Sequence, residues 1–337
     1  INNRRESLLH SSTQNNQLEI SKFLLYKKLD PNLKNFRGRT PFAIACSKLN
    51  HPLIESFLLY DVNVNTYDNQ KNTPLHKVVT DPKLVKLLLN HGANPYFENE
   101  FNQTPFNLSI KYKNSLETFL KCGTKPDYPD KNAQTLMYTA ISNDDLDAAE
   151  ILKKYKANLN HKDKYGKSPI FYTTTPQTIQ WLSKNNADIN LTDNNKQTVL
   201  HQNISENKYN ISKLLLKLGA NPNMYDKYNL PPLYYAKSTK TMELLLANKA
   251  NPDVITPQGS TLLHNCVKTN NINAVELLLK YKANPNIPDK DKKIPFDYAL
   301  NNPKLRNMLL DAGSNPNYRN YLISALKSGD TKLFDKL

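Results

Sequence analysis

The sequence predicts an all-α repeat solenoid built from stacked helix pairs, and three observations carry that expectation. A motif close to Thr-Pro-Leu-His returns at near-constant intervals along the chain. A polar motif close to Ala-Asn-Pro-Asn keeps step with it, and an apolar triplet, often three leucines, precedes the polar motif. Self-similarity at roughly 20–50 residues marks a repeat architecture, in which each unit buries its apolar face on the next.

The first marker starts at Ser7, Thr40, Thr73, Thr104, Thr135, Ser168, Thr198, Pro231, Thr261 and Ile294, with a weaker eleventh near Asn320. Successive starts lie 30 to 33 residues apart until the last, at 26. Each start is a helix N-terminus. Thr40, Thr73, Thr104 and Thr198 are capping residues, and proline is favoured immediately after a cap. Apolar residues then recur at helical spacing, as in Ile272, Val275, Leu278 and Leu279. The second helix of each pair ends at the polar motif, because the residue before proline avoids the helical region. Examples begin at Ala93, Ala157, Ala187, Ala220, Ala250, Ala283 and Ser314. Five residues before most motif starts stands Asn35, Asp68, Asn99, Asp130, Asp163, Asp193, Asp226 or Asp289, a residue type that closes tight turns. Thr256 breaks that series.

This pattern resembles the ankyrin repeat over essentially the whole chain, most closely from Thr73 to Asn94 (TPLHKVVTDPKLVKLLLNHGAN). The resemblance implies helix-turn-helix pairs joined by β-hairpin fingers in a curved, elongated array. The expected organisation is an array over residues 1–318 and a partial terminal repeat, or a junction to a following element, over 319–337. The family usually places Gly after the second helix, as at Gly92, Gly123, Gly219 and Gly313; Lys28, Asp61, Lys156, Asn186, Lys249 and Lys282 stand there otherwise. Lysine in a left-handed conformation costs about 1 kcal/mol. Repeats starting at Thr73, Thr104, Ser168, Pro231 and Ile294 are short between motif and second helix, so a trimmed first helix is expected. Pro82, Pro176 and Pro303 are expected to start three of the second helices.

Composition excludes several function classes. No apolar run of membrane-spanning length occurs, so no membrane insertion is expected. The three cysteines are dispersed, which points to a reducing compartment such as a cytosol. Eight glycines in 337 residues form no phosphate loop, and no zinc-ligand spacing or nucleophile elbow appears. His10, His76, His201 and His264 fill the fourth motif position and are read as bracing the turn. Cys46 and Cys266 are read as inert packing, and Trp181 as a core residue. No catalytic residue, metal site or cofactor is expected. The net charge of +15 admits a nucleic-acid or acidic-surface partner. Its even spread, with abundant Lys and Asn, also fits an AT-rich genome.

The expected activity is therefore binding of another protein by a non-enzymatic scaffold, acting as a monomer. In this family partners meet the finger tips and the exposed side of the first helices. Carried onto this sequence, the tips offer Phe36, Arg37, Arg39, Asn69, Gln70, Asn72, Glu100, Phe101, Gln103, Tyr165, Lys167, Asn195, Gln197, Tyr228 and Lys292. The first helices offer Tyr112 among others. Phe36, Phe101, Tyr165 and Tyr228 are the expected anchors. Similar Lys/Asn-rich arrays of intracellular bacteria and large viruses suggest a host-directed effector, placed in the cytoplasm or in host cytosol. Two alternatives stay open. One is a targeting module for an enzyme or toxin domain outside this chain, motivated by the non-methionine start Ile1 and the stop within TKLFDKL. The other is polyanion binding.

Overall fold

The structure, a computed structural model, describes residues 1–299 and 301–315. The eleventh motif near Asn320 and the 319–337 segment lie outside the described residues. The chain divides into two units, residues 1–161 with 172–174, and residues 162–171 with 175–337.

In the first unit the helix pairs are Leu8–Gln14 with Leu18–Tyr26, Pro41–Ser47 with His51–Leu58, and Pro74–Lys77 with Pro82–Asn90. Pro105–Leu108, extended by a 3-10 turn at Ser109–Lys111, pairs with Lys113–Lys121, and Leu136–Ser142 pairs with Leu146–Lys154. In the second unit the second helices are Pro176–Lys184, Tyr209–Lys217, Thr239–Ala247, Ile272–Lys280 and Pro303–Asp311. Their first helices are Pro169–Tyr172, Val199–Ser205, Pro232–Tyr235, Leu262–Lys268 and Pro295–Tyr298, of which the first, third and fifth are single 3-10 turns. These three belong to short repeats, as do the four-residue helices Pro74–Lys77 and Pro105–Leu108. Residues lost from the period are therefore lost from the first helix. Pro82, Pro176 and Pro303 start their second helices, where a missing N–H costs nothing.

The core combines the first helices, such as Phe42, Ile44 and Ala45, with one apolar stripe per second helix. Leu53, Ile54 and Phe57, then Leu84, Val85 and Leu88, then Leu116 and Phe119 are fully or almost fully buried. Trp181 is half-buried and does not join that stripe; Thr178, Ile179 and Leu182 fill the inward positions of Pro176–Lys184. Cys46 and Cys266 pack in first helices, and burial alone pushes both thiols up, Cys266 to about 11. Both therefore stay protonated at neutral pH.

The connections between repeats differ from β-hairpin ladders. Among the described residues no strand forms, and the only bridges are isolated ones at Thr192–Thr198 and Ile255–Thr261. Each finger is instead a five-residue loop, such as 68–72, closed by Asp68 N–H to the Asn72 carbonyl at 3.0 Å. Its fourth residue takes positive φ, as at Gly38, Lys71, Asn102, Ala133, Gly166, Lys196, Asn229, Gly259 and Lys292. A second left-handed position follows every described second helix but His51–Leu58. Lys28, Lys156, Asn186, Lys249 and Lys282 adopt it, as expected, but Asp61 does not, so the second repeat closes without it.

Two ladders of side chains join successive repeats. In the first, the N–H of Ser7, Thr73, Thr198 or Thr261 donates to Nδ1 of the histidine three residues on, at 3.0–3.1 Å. A backbone N–H can only donate, so Nδ1 is the acceptor and Nε2 carries the proton. Nε2 then donates across the junction to the carbonyl of Arg39, Gln103, Leu230 or Lys293, at 3.0–3.3 Å. Tyr138 holds the same motif position without a histidine, and its hydroxyl donates to the His161 carbonyl at 2.5 Å. In the second ladder, the amides of Asn32, Asn65, Asn190, Asn223 and Asn286 donate to the carbonyl at the end of the next repeat's second helix. Each amide oxygen accepts the N–H of Asn63, Asn94, Asn221, Asn251 or Asn315 at 2.7–2.8 Å.

Two predictions follow from these geometries. Replacing Lys249 or Lys282 by Gly relieves a left-handed lysine, so each is expected to raise the unfolding free energy by about 0.5–1 kcal/mol in urea titration. Desolvation lowers the pKa of His10, His76, His201 and His264 from 6.5. Above 6.5 folded and unfolded chains are both neutral at these rings and the stabilisation is complete. As pH falls below 6.5 the unfolded chain binds protons first, so stability should decline toward the lowered folded pKa values. Urea midpoints at stepped pH check this, and a flat profile from neutral pH to 5 would contradict it.

Candidate functional site

The finger tips, except that of 256–260, are held from inside by one buried or half-buried side chain each. In every finger that begins with Asp or Asn, its Oδ1 accepts two backbone N–H groups, two and four residues on. Asn35 takes those of Arg37 and Arg39, Asp68 those of Gln70 and Asn72, and Asn99 those of Phe101 and Gln103. Asp163 takes Tyr165 and Lys167, Asp193 takes Asn195 and Gln197, and Asp226 takes Tyr228 and Leu230. The finger residues picked out from the sequence are thus largely those whose backbone this side chain fixes. A loop fixed in this way presents its outward side chains without ordering them at the moment of binding.

Fingers also bond to one another. In the first unit Asn69 N–H donates to the Arg37 carbonyl at 3.1 Å, and Glu100 N–H to the Gln70 carbonyl at 3.0 Å. Asn99 Nδ2 donates to Asn72 Oδ1 at 3.0 Å. These contacts bring Phe36, Arg37, Arg39, Asn69, Gln70, Asn72, Glu100, Phe101 and Gln103 into one row. In the second unit Asn194 N–H donates to the Tyr165 carbonyl and Lys227 N–H to the Asn195 carbonyl. Tyr165, Lys167, Asn195, Gln197 and Tyr228 therefore share a second row. Lys292 stands two fingers beyond Tyr228, with the 256–260 finger between them. Tyr112 does not belong with the tips. It lies in the turn between Ser109–Lys111 and Lys113–Lys121, at the end of its helix pair away from the finger.

The four tip aromatics are open to solvent: Phe36 is 47% exposed, Phe101 64%, Tyr165 53% and Tyr228 57%. Three carry a cation over the ring. The Arg37 guanidinium carbon lies 5.2 Å from the Phe36 centroid, Lys164 Nζ 4.9 Å from Tyr165, and Lys227 Nζ 4.9 Å from Tyr228. Between the 35–39 and 68–72 fingers opens a cleft of about 380 Å³ that also takes in Ser47 and Lys77. Lys77 was not among the residues expected at the surface. Its place directly after the motif histidine is the signal, since Gln202 directly after His201 also reaches a finger, where it accepts from Lys167 Nζ at 3.0 Å.

The carboxylates of Asp226 and Asp289 at the finger bases are occupied. Burial alone would raise the Asp226 carboxyl, but hydrogen bonds from the Tyr235 hydroxyl and from the Leu230 and Tyr228 N–H groups hold it below the usual range. The hydrogen bond to Asp289, then burial, pushes Tyr298 up to about 12. Among the described residues no group of three His, Cys, Asp or Glu side chains could hold a metal ion, and no helix is long and apolar enough to cross a membrane.

The sequence model for ankyrin repeats matches residues 8–99, 170–254 and 237–320. The chain belongs to the ankyrin-repeat family. Repeats of this family mediate protein–protein interaction. The array is 35% identical to Inversin of Canis lupus familiaris over 148 residues, 42% of this chain and 14% of that protein. It is 20% identical over 256 residues to an ankyrin-repeat protein of Acanthamoeba polyphaga mimivirus, 72% of this chain and 34% of that protein. The solved ankyrin repeat domain of Bcl-3 aligns with a TM-score of 0.49 at 17% identity, covering 71% of this chain and 98% of that domain. The chain thus spans a small part of the length of Inversin.

Asp226→Ala should leave two finger N–H groups and the Tyr235 hydroxyl without their acceptor, lowering the unfolding free energy by about 3 kcal/mol. Asp226→Asn keeps an amide oxygen in place, as Asn35 and Asn99 do naturally, and should cost about 1 kcal/mol. Equal losses from the two substitutions in urea unfolding would contradict this account of the finger.

Proposed function

We propose that this array is a non-enzymatic protein-binding scaffold that meets its partner with the rows of finger tips. One observation carries the reading: four exposed aromatic rings stand on loops whose backbones are fixed from within, three of them with a cation over the ring. Aromatic and arginine side chains concentrate interface energy, and a fixed loop loses little entropy on binding. The reading takes the array as a cytoplasmic monomer. The similarity to the mimivirus protein supports a host-directed role, with the partner in host cytosol.

The test is affinity capture from candidate-host cytosol with the full chain, beside a variant carrying Phe36→Ala, Phe101→Ala, Tyr165→Ala and Tyr228→Ala. The rings are exposed, so circular dichroism and thermal midpoint should match between the two. A specific partner should be captured by the native chain and depleted about tenfold or more in the variant. Equal recovery by both would move the site off the tips. Heparin retention falling steeply with salt, with no protein captured, would replace the reading by polyanion binding.

A further inference from the structure

The cleft between the 35–39 and 68–72 fingers differs in charge from the next tip along. Arg37, Arg39 and Lys77 line it. The single carboxylate there, Asp68, is already engaged: Oδ1 accepts the N–H groups of Gln70 and Asn72, and Oδ2 pairs with Lys77 at 3.1 Å. Neither guanidinium has a carboxylate within ion-pair distance among the described residues. Arg39 Nε is buried and has no hydrogen-bond partner. A buried donor left unsatisfied is unfavourable, and charged acceptors satisfy guanidinium best.

The backbone beneath that donor is fixed. The Arg39 N–H donates to Asn35 Oδ1 at 3.1 Å, and its carbonyl accepts the Asn35 N–H at 3.0 Å and the His10 Nε2–H at 3.1 Å. The guanidinium is therefore offered from a backbone pinned by both its own finger and the preceding repeat. Beside it, the Phe36 ring under Arg37 forms an apolar shelf.

We propose that this cleft is a subsite for an acidic side chain, receiving the carboxylate of an Asp or Glu on an extended segment of the protein partner. The Arg39 and Arg37 guanidinium groups donate to the carboxylate, Lys77 adds charge, and Phe36 packs against the flanking residue. This rests on the reading of the finger row as a protein-binding surface. A peptide fits better than a nucleic acid because the positive field is a spot, not a stripe. The cleft holds a side chain or two, and the next finger presents Glu100 with neutral Asn99 and Gln103. A polyanion needs cations repeated along its backbone.

The test uses the full chain and two fluorescein-labelled decapeptides, one alternating Gly with Glu and one alternating Gly with Gln, titrated by fluorescence anisotropy. The Glu peptide should bind, and the Gln peptide should bind about tenfold more weakly. Arg39→Gln should weaken Glu-peptide binding about tenfold without changing circular dichroism, while Lys217→Gln, on the helix Tyr209–Lys217 of the other unit, should change nothing. Arg37→Gln, at an exposed residue, supplies the same comparison if Arg39→Gln perturbs folding. Equal binding of the two peptides, or Glu-peptide binding indifferent to both arginine substitutions, would overturn the subsite. So would equal weakening by Lys217→Gln, which would reduce the effect to net charge. The two readings fail separately. Loss of the captured partner in the aromatic variant, with no Glu-peptide binding, removes the subsite and leaves the scaffold. Arginine-dependent peptide binding, with capture unaffected by the aromatic variant, does the reverse.

Discussion

A chain that turns sharply two or three times in every thirty-odd residues must satisfy the backbone polar groups at each turn. This protein does so mainly with short side chains, and its stacking depends on that solution. The finger Asp or Asn accepts two N–H groups of its own loop, the motif histidine ties a helix cap to the next finger, and the polar-motif asparagine bonds the end of the next second helix. Apolar burial drives the helix pairs together, but it is non-directional. The side-chain ladders supply direction, since each has donors and acceptors that fit one register only. Histidine serves because its neutral ring accepts on one nitrogen and donates on the other, reaching in opposite directions.

The same bonds shape the candidate surface. Because the carboxylates at the finger bases face inward onto their own N–H groups, they are withdrawn from the tips, and apart from Glu100 and Asp291 what remains outside is aromatic, basic or neutral polar. The formal charge of +15 therefore understates how the two signs are separated: acids hold the fingers while Arg37, Lys164, Lys167 and Lys227 stand on them. Burial of a charge this close to the surface is tolerable because each carboxylate collects several hydrogen bonds.

Much of the fold was legible in the sequence. Helix starts, trimmed first helices and the left-handed lysines all follow from spacing, capping and proline rules. What was not legible required knowing which neighbour lies across a junction. The asparagines look like base composition until Asn65 is seen between Gly92 and Asn94 of the next repeat. Trp181 matches an apolar stripe by period, yet the stripe turns with the helix and leaves the indole at its edge. Tyr112 reads as a first-helix residue, but in a shortened repeat that helix has already ended. The tip residues were carried over by analogy, and Lys77 was not carried with them; it holds the motif place of Gln202, which reaches a finger at Lys167.

The stretch from Lys249 to Lys282 brings several departures together. Lysine occupies the left-handed position at both ends, and the finger between them begins with Thr256, whose buried hydroxyl bonds nothing where the other fingers have a carboxylate or amide. In a stack whose members touch only their neighbours, free energy is distributed along the axis instead of being shared. Such an array has a weak link with an address. Under heat, force or proteolysis this repeat would let go first and pull its neighbours only as far as the coupling reaches, so failure would be a local event with a defined boundary. The array would then behave less like one cooperative body than like a chain of clasps, one of them loosely fastened.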